Sequence, residues 1–364
     1  MEFLSCIPTV FVIENEYEIL INVKEKGIIS IEIDGVKYYE NNAGTLSSEK
    51  VYSKIRIPQK LLDSSKKYTV TYRSAPNRKA YYTKLGEEQR QEFSFKPLLK
   101  TENINVYHIA DVHYRFDLGI SAAKYFGDDT DLYIFNGDIG EVENFNHYFE
   151  VAKFTGEVSM GMVPVIFVRG NHDTRGRMAE FFPEYFPSVE KNTYYIANIG
   201  SLKTLVLDCG EDKPDSQIEY GGVNDFYSFR RRELGFLKSI DTNSNTDLVI
   251  THICPMQTTT EAYGQFDIER ELYSEWHEEL KRIGVDFMLC GHMHKAYILK
   301  TNDPRSLIKN SFPIVVGSAC FGDKDLYGTA ITLTSDKIFV RFTDKNQSVK
   351  ESFIIDRSTK EVMK

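Results

Sequence analysis

Cysteine is scarce in this sequence, and no long apolar run is present. The five cysteines are odd in number and show no paired spacing, which excludes a scaffold built on disulfides and indicates reduced, mostly buried thiols. A membrane-spanning helix needs about 20 apolar residues, and no apolar segment of this sequence approaches that length. The first residues also lack the basic segment that is typical of a signal peptide. We therefore expect a cytoplasmic protein with no membrane segment.

Positive charge is in deficit as well. The chain has 44 basic and 53 acidic residues, which gives a formal net charge of −9 over 364 residues. This balance argues against broad electrostatic binding to nucleic acid or to an anionic membrane. The hydrophobic share of 41% is ordinary for a globular protein and excludes global disorder. At about 150 residues per domain, the length suggests two domains.

Residues 1–98 alternate apolar and polar positions as β-strands do. The stretch YEILINVKEKGIISIEIDGVKYYE contains two or three such runs, and its Asp34-Gly35 pair is a hairpin signal. About seven short strands predict an all-β sandwich domain over residues 1–98. Leu62 followed by Tyr68 resembles the tyrosine corner of fibronectin type III-like domains. No catalytic pattern is found in this region.

From residue 99 to residue 364, apolar runs alternate with helix-like segments. This alternation predicts a layered α/β domain. We predict helices over 119–126, 142–154, 176–185, 228–240 and 267–283, the last beginning after an N-cap at Asp267. The run Arg230-Arg231-Arg232 is interpreted as the solvated face of its helix.

Five apolar runs of this second region end in residues that can bind metal ions. They are followed by Asp111 and His113; by Gly137 and Asp138; by Asn171, His172 and Asp173; by His252; and by His292 and His294. Because ligands bind at the carboxyl ends of strands in open α/β sheets, we expect these side chains to share one rim. Five of the eight histidines lie at these strand ends, and this clustering predicts a metal site. His108, His147 and His277 are interpreted as structural residues.

These strand ends carry a resemblance to a known family. Asp-x-His at 111–113, Gly-Asp at 137–138, Gly-Asn-His-Asp at 170–173, His252 and Gly-His-x-His at 291–294 are similar, in order, to the five sequence blocks of the calcineurin-like metallophosphoesterases. Spacings of 25 residues from His113 to Asp138 and 33 from Asp138 to Asn171 are typical of that family. The resemblance spans residues 105 to about 320. It implies a four-layer αββα sandwich for residues 99–364, preceded by the all-β sandwich.

The resemblance also implies a dinuclear metal centre with two divalent ions per chain. One ion would be held by Asp111, His113 and His294, the other by Asn171, His252 and His292, and both by Asp138. Carboxylate, amide and imidazole ligands favour Mn, Fe or Zn. A hydroxide shared by the two ions would attack phosphorus. His172 would be either the general acid for the leaving group or a residue that orients the hydroxide.

Two features bear on the branch of the family. A β-sandwich before the catalytic domain is similar to purple acid phosphatases, but Glu141 stands where those enzymes have a tyrosine ligand to iron. Asp173 followed by Arg175 is similar to a bacterial phosphodiesterase branch, and Arg175 is either a contact to a substrate phosphate or an exposed residue. Gln257, Tyr263 and Phe321 are candidates for shaping the pocket.

We therefore expect an enzyme that hydrolyses phosphodiesters or small phosphate esters. The alternative within the class is a phosphomonoesterase or phosphoprotein phosphatase. A non-catalytic interaction module is disfavoured, because every expected ligand position is filled. The expected partner is a small phosphoester, with neither a membrane nor a long nucleic acid as substrate.

Overall fold

A computed structural model of the chain describes residues 2–242, 246–256, 268–322 and 324–364; at 319 and 321 the description is limited to the backbone. The N-terminal region is all-β apart from one short helix. Its elements are β1 (Thr9–Ile13), β2 (Glu16–Asn22), β3 (Gly27–Ile33), β4 (Val36–Tyr38), β5 (Tyr52–Pro58), α1 (Gln59–Ser65), β6 (Lys67–Ser74) and β7 (Gln89–Ser94). Alternation predicts a strand such as β5, in which buried and partly exposed residues alternate, whereas β1 and β2 are buried on both faces.

The second region contains helices between strands, as predicted. Its elements are β8 (Ile104–Ile109), α2 (Phe116–Ala122), β9 (Leu132–Asn136), α3 (Phe145–Ser159), β10 (Val165–Val168), α4 (Phe182–Tyr185), β11 (Tyr195–Ile196), β12 (Thr204–Val206), α5 (Phe226–Ser239), β13 (Leu248–Ile250), α6 (Arg270–Ile283), β14 (Phe287–Cys290), β15 (Tyr297–Leu299), β16 (Ile314–Val316), β17 (Ala319–Phe321), β18 (Asp325–Leu333), β19 (Lys337–Thr343), β20 (Val349–Asp356) and β21 (Val362–Met363).

Two sheets pack face to face in the middle of the molecule. The first has the order β21-β20-β19-β18-β8-β9-β10-β1-β2-β5, and the second has the order β11-β12-β13-β14-β16-β15. Buried side chains such as Ile134 and Ile166 of the first sheet and Leu289 of the second share one core. Since Phe154 of α3 and Trp276 of α6 lie in the outer cores, helices cover both outer faces. The predicted four-layer αββα arrangement is confirmed.

The N-terminal region shares a sheet with the second region. Strand β1 pairs in parallel with β10, with Phe11 opposite Val165, and β2 and β5 extend the same sheet. Strands β4, β3, β6 and β7 form, in that order, a separate sheet that covers β1, β2 and β5. Ile31 and Val70 of this sheet belong to the common core. One layer of the predicted sandwich is therefore a continuation of the central sheet. A domain boundary at residue 98 stays a prediction.

Tyr68 links the two regions. Its buried hydroxyl donates to the backbone carbonyl of Gly161, in the connection between α3 and β10, at 2.9 Å. A tyrosine corner bonds to backbone a few residues upstream in its own domain, so Tyr68 departs from that pattern. The contact instead fixes the separate β-sheet against the helical layer.

The long helices lie close to their predicted positions, but their ends differ. The segment 176–185 is helical from residue 179, where a 3-10 turn (Ala179–Phe181) leads into α4. Gly176, whose φ of 94° is incompatible with a right-handed helix, lies before it. Helix α6 ends at Gly284, whose φ of 77° is a usual C-terminal cap. The predicted cap at Asp267 lies outside the described residues.

None of the helices in the described parts of the chain is long and apolar enough to cross a membrane.

Candidate metal centre

Five strands of the two central sheets bring their carboxyl ends to one rim. In the first sheet, β8, β9 and β10 are parallel neighbours; in the second, β13 and β14 are parallel neighbours. The loops that follow these strands carry all the predicted ligands: Asp111, His113, Asp138, Asn171, His252, His292 and His294. The rim predicted from the sequence therefore draws on both sheets.

The backbone of these loops is strained. The φ angles are positive at Asp111, His113, Asp138, His292 and His294, a region that non-glycine residues rarely adopt. Such conformations cost about 1–3 kcal/mol each and cluster at functional sites, where surrounding contacts hold them.

Close approach of the loops depends on Gly137. A Cβ at this position would lie 2.6 Å from the Cα of Gly170 and 2.6 Å from Nδ1 of His252, closer than real Cβ atoms come. Its φ of 78° also suits glycine. Only glycine therefore allows the loops after β9, β10 and β13 to meet.

The first group of ligand atoms comes from Asp111, His113 and His294. Nε2 of His294 lies 3.6 Å from Oδ1 of Asp111 and 3.3 Å from Nε2 of His113. Atoms that bind the same ion at about 2.1 Å are separated by about 3–3.5 Å, so one ion could contact all three residues.

The second group comes from Asp138, His252 and His292. Nε2 of His252 lies 3.2 Å from Oδ2 of Asp138, and Nδ1 of His292 lies 3.0 Å from Oδ1 of Asn171. Nδ1 of His252 is 2.6 Å from the backbone carbonyl of Asn136 and donates its proton there, which turns Nε2 toward the site. Asp138 also belongs to a group with His113 and His172, so its carboxylate borders both metal positions.

A buried polar atom supports the metal interpretation. Oδ1 of Asp111 is inaccessible to solvent and has no hydrogen-bond partner among the described residues. Buried polar atoms are almost always paired, and this one lies 3.6 Å from Nε2 of His294 and 3.8 Å from Nε2 of His252. Carboxylate oxygen, amide oxygen and imidazole nitrogen together form a set of ligands that suits divalent transition metals. The residues present therefore fit two such ions.

Burial and charge set the protonation of the site. Burial lowers the pKa of His113 to about 4, so its imidazole is neutral at neutral pH. Burial also lowers the pKa of His252, but the carboxylate of Asp138 outweighs this effect and raises the pKa to about 10. Burial raises the pKa of Asp111. His252 thus acts as the counter-ion of Asp138 when no metal ion is bound.

Asp173 ties two of the ligand loops together. Its buried Oδ2 accepts hydrogen bonds from the backbone N–H groups of Gly170 at 2.8 Å and Asp138 at 3.2 Å. Oδ1 of Asp138 accepts in turn from the backbone N–H of His172 at 2.9 Å. The loops after β9 and β10 are therefore held in one register.

His172 lies at the open side of the site. Its side chain is 34% exposed, and its Nε2 is 4.0 Å from Oδ2 of Asp138. Its ring packs edge-on against His113, with centroids 4.9 Å apart. This position allows the imidazole to reach a molecule bound at the metal groups from the solvent side.

Comparison with known proteins identifies the family. The family model described as calcineurin-like phosphoesterase matches residues 104–296, more than half of the chain. The chain belongs to the calcineurin-like phosphoesterases. Membership of this family supports a hydrolase. A search of curated protein sequences gives no match to this chain.

Two solved structures resemble the phosphoesterase over most of its length. A purple acid phosphatase from yellow lupin (Lupinus luteus) seeds has a TM-score of 0.61 at 14% identity. The aligned region covers 96% of this chain and 74% of the lupin chain. The structure of PhoD has a TM-score of 0.57 at 10% identity, and the aligned region covers 98% of this chain and 90% of the PhoD chain. At such low identity the likeness shows the fold alone.

Glu141 takes the sequence position of the purple phosphatase tyrosine. Its side chain is exposed and belongs to none of the metal-binding groups among the described residues. Its backbone N–H and carbonyl both pair with the hydroxyl of Tyr114. Glu141 lies before helix α3, which begins at Phe145.

Arg175 is held by a buried carboxylate that the sequence analysis did not single out. Its Nε and Nη2 donate to the two carboxylate oxygens of Glu211 at 2.5 and 2.6 Å, and its guanidinium lies 5.7 Å from the ring centroid of Tyr220. Nη1 has no hydrogen bond among the described residues, and the side chain is 35% exposed. Arg175 is therefore a partly exposed residue that is paired through two of its three nitrogens.

The interpretation of the arginine run on α5 was wrong for its first member. Arg231 and Arg232 are exposed, but Arg230 is fully buried. Its guanidinium donates to the backbone carbonyls of Cys209 at 2.7 Å and Glu211 at 2.6 Å, and it also pairs with Glu269. The signal was in the sequence, since Arg230 lies at helical spacing on the buried stripe with Phe226, Glu233, Leu234 and Leu237.

The remaining candidates lie apart from the metal groups. His108 is buried beside Thr329, His147 is next to the cap residue Asn144, and His277 contacts Ser311. None of the three belongs to a metal-binding group of the described residues. Gln257, Tyr263 and the side chain of Phe321 lie outside the described residues.

Proposed function

We propose that this protein is a dinuclear-metal-dependent phosphoesterase that hydrolyses phosphodiesters or small phosphate esters. The observation that carries the proposal is the position of Asp138. Its carboxylate contributes to a group with His113 and His172 and to a group with His252 and His292. A single carboxylate between two metal positions supports two ions that act on one phosphoryl group.

The proposed ligands divide as the distances suggest. Asp111, His113 and His294 would hold one ion, Asn171, His252 and His292 the other, and Asp138 both. Two ions bound in this way would neutralise charge on a phosphoryl group and lower the pKa of water. Mn, Fe and Zn are the proposed ions, because the ligands are oxygen and nitrogen atoms without sulfur.

His172 is the proposed catalytic side chain beside the metal groups. Its imidazole is partly exposed, so a substrate can approach it from solvent. When protonated, Nε2 can donate a proton to the oxygen of the leaving group, as a general acid does. When neutral, the same nitrogen can orient the attacking water. The two roles differ in the dependence of the rate on the leaving group.

Arg175 is the proposed contact to substrate, through Nη1. Its other two nitrogens are occupied by Glu211, which fixes the direction of the guanidinium. A fixed, partly exposed N–H donor three residues after His172 in the chain can bind one phosphate oxygen. Because Glu211 neutralises much of its charge, we expect this contribution to be modest.

The alternative reaction is hydrolysis of phosphomonoesters, including phosphoproteins. An interaction module without catalysis is less well supported, because the ligand positions are filled and brought together. A cytoplasmic location is also proposed. It is supported by five free cysteines, four of them buried and none in a disulfide.

Substrate preference tests the proposal directly. Metal-free protein would be loaded separately with Mn²⁺, Fe²⁺ and Zn²⁺, and hydrolysis of bis-p-nitrophenyl phosphate would be compared with that of p-nitrophenyl phosphate. A diesterase cleaves the first substrate faster, and the reverse ratio would favour the monoesterase. If neither substrate turns over with any ion that binds, the hydrolase assignment for these substrate classes fails and the interaction module gains support.

A further inference from the structure

A carboxylate lies behind the His292 imidazole, on the side away from Asn171. Oδ2 of Asp212 is 3.4 Å from Nε2 of His292, while the other ring nitrogen, Nδ1, is 3.0 Å from Oδ1 of Asn171. The Asp212 side chain is only 12% exposed. The two nitrogens of one imidazole thus face two different oxygen atoms.

Asp212 is not itself placed as a metal ligand. No metal-binding group of the described residues contains it, although one contains His292 with Asp138 and His252. Its Oδ1 accepts a hydrogen bond from Nζ of Lys213 at 3.2 Å and lies 3.4 Å from the hydroxyl of Tyr220, whose proton goes to the nearer Glu211 at 2.9 Å. Lys213 thus holds Oδ1, while Oδ2 is directed at His292.

The backbone that carries Asp212 is fixed by a buried residue. Arg230 binds the carbonyls of Cys209 and Glu211, the latter directly preceding Asp212. Glu211 is itself held by Arg175 and Tyr220. Helix α5 therefore anchors a loop whose carboxylate is presented to the loop after β14.

We propose that Asp212 is a positioning residue that orients His292 for metal binding. A neutral imidazole carries one proton, and an acceptor at Nε2 places that proton there, which leaves the lone pair of Nδ1 free on the side of Asn171. The carboxylate also fixes the plane of the imidazole. This inference rests on the proposed metal centre and adds a residue that touches neither the ions nor the substrate.

The expected loss of metal affinity can be estimated from other metal-binding histidines that are held by a hydrogen-bond partner. Loss of the partner that holds a metal-binding histidine lowers metal affinity by about 10- to 100-fold. Only the ion bound by His292, Asn171 and His252 should be affected. The ion at Asp111, His113 and His294 should keep its affinity apart from indirect effects through Asp138.

Metal titration of the full-length chain tests this inference. Zn²⁺ would be titrated into metal-free protein with a competing chelator, for wild type, Asp212→Ala and Asp212→Asn. Glu219→Gln is the matched control, because Glu219 also pairs with Lys213 but has no contact with His292 among the described residues. We expect one of two stepwise affinities to fall by about 10- to 100-fold in Asp212→Ala, with a smaller loss in Asp212→Asn, which retains an acceptor, and no change in the control.

The titration distinguishes failure of the positioning role of Asp212 from failure of the proposed metal centre. If wild type binds two ions and Asp212→Ala binds both with unchanged affinity, the positioning role is wrong while the metal centre stands. If wild type binds no ion, the proposed function fails as well.

A spectroscopic readout covers the case in which an alanine variant does not fold. In Zn²⁺-loaded protein labelled with ¹⁵N-histidine, His292 should carry a protected Nε2 proton. Asp212→Asn should weaken this protection and Glu219→Gln should not. A His292 proton found on Nδ1 in wild type would overturn the inference.

Discussion

The guanidinium of Arg230 donates to the backbone carbonyl of Glu211 at 2.6 Å in the fully buried interior beneath α5. It thereby connects α5 to the loop whose Asp212 contacts His292 of the candidate metal centre. Arg230, although part of a run of three arginines, therefore has a structural role in holding this loop.

Arg230→Met should be strongly destabilising. The substitution leaves the carbonyls of Cys209 and Glu211 without a donor and weakens the pairing of Glu269, so we expect the free energy of unfolding to fall by about 3–5 kcal/mol. Arg231→Met, at the neighbouring exposed position, should change it by at most about 0.5 kcal/mol. Chemical denaturation of both variants measures the difference. Equal stability of the two would contradict the structural role of Arg230.

Metal binding should release protons at neutral pH. The carboxylate of Asp138 raises the pKa of His252 to about 10 against the effect of burial, so this imidazole is protonated below that pH, yet it must be neutral to bind an ion. Affinity at its position should therefore rise with pH up to about 10. His113, whose pKa burial lowers to about 4, should release no proton at pH 7.

Calorimetric titration at pH 7 in buffers of different ionisation enthalpy measures this release. A buffer-dependent heat that corresponds to about one proton or more per chain is expected. A heat that does not vary with the buffer would contradict the assigned protonation of His252.

His172→Asn should separate the two proposed roles of this residue. As a general acid, His172 contributes most when the leaving group is a strongly basic alkoxide, so the loss should be about 10²- to 10⁴-fold for such esters and small for p-nitrophenyl esters. Metal content should stay unchanged. His147→Asn, outside the metal-binding groups, is the control. Equal losses for good and poor leaving groups would favour the orienting role.

Removal of residues 1–98 should unfold the remaining chain. The truncation strips β1 from β10 and exposes the core that Ile134 and Ile166 share with the N-terminal strands. An uncovered strand edge with apolar surface favours aggregation over folding. Solubility and thermal unfolding of residues 99–364 test this. A truncated protein that unfolds cooperatively and binds two ions would show that the second region is an independent domain.

Much of the site was predictable because its chemistry is local in sequence. Each proposed ligand lies in the loop that follows a buried strand, and Asp111 with His113, and His292 with His294, are pairs separated by one residue. The parallel pairing of β1 with β10 was not predictable, since alternation indicates a strand without naming its partner. Asp212 and Glu211 lie in a loop without periodicity, so only their contacts reveal them.

The measurement that tests the account most directly is the metal content of Asp138→Asn. Asp131→Asn is the matched control, because Asp131 is a buried carboxylate at the opposite end of β9, paired with Lys96 and Lys100. We predict two ions per chain in wild type and in the control, and none bound tightly in Asp138→Asn. Two ions per chain retained in folded Asp138→Asn would contradict the bridging role of Asp138, and with it the proposed dinuclear centre.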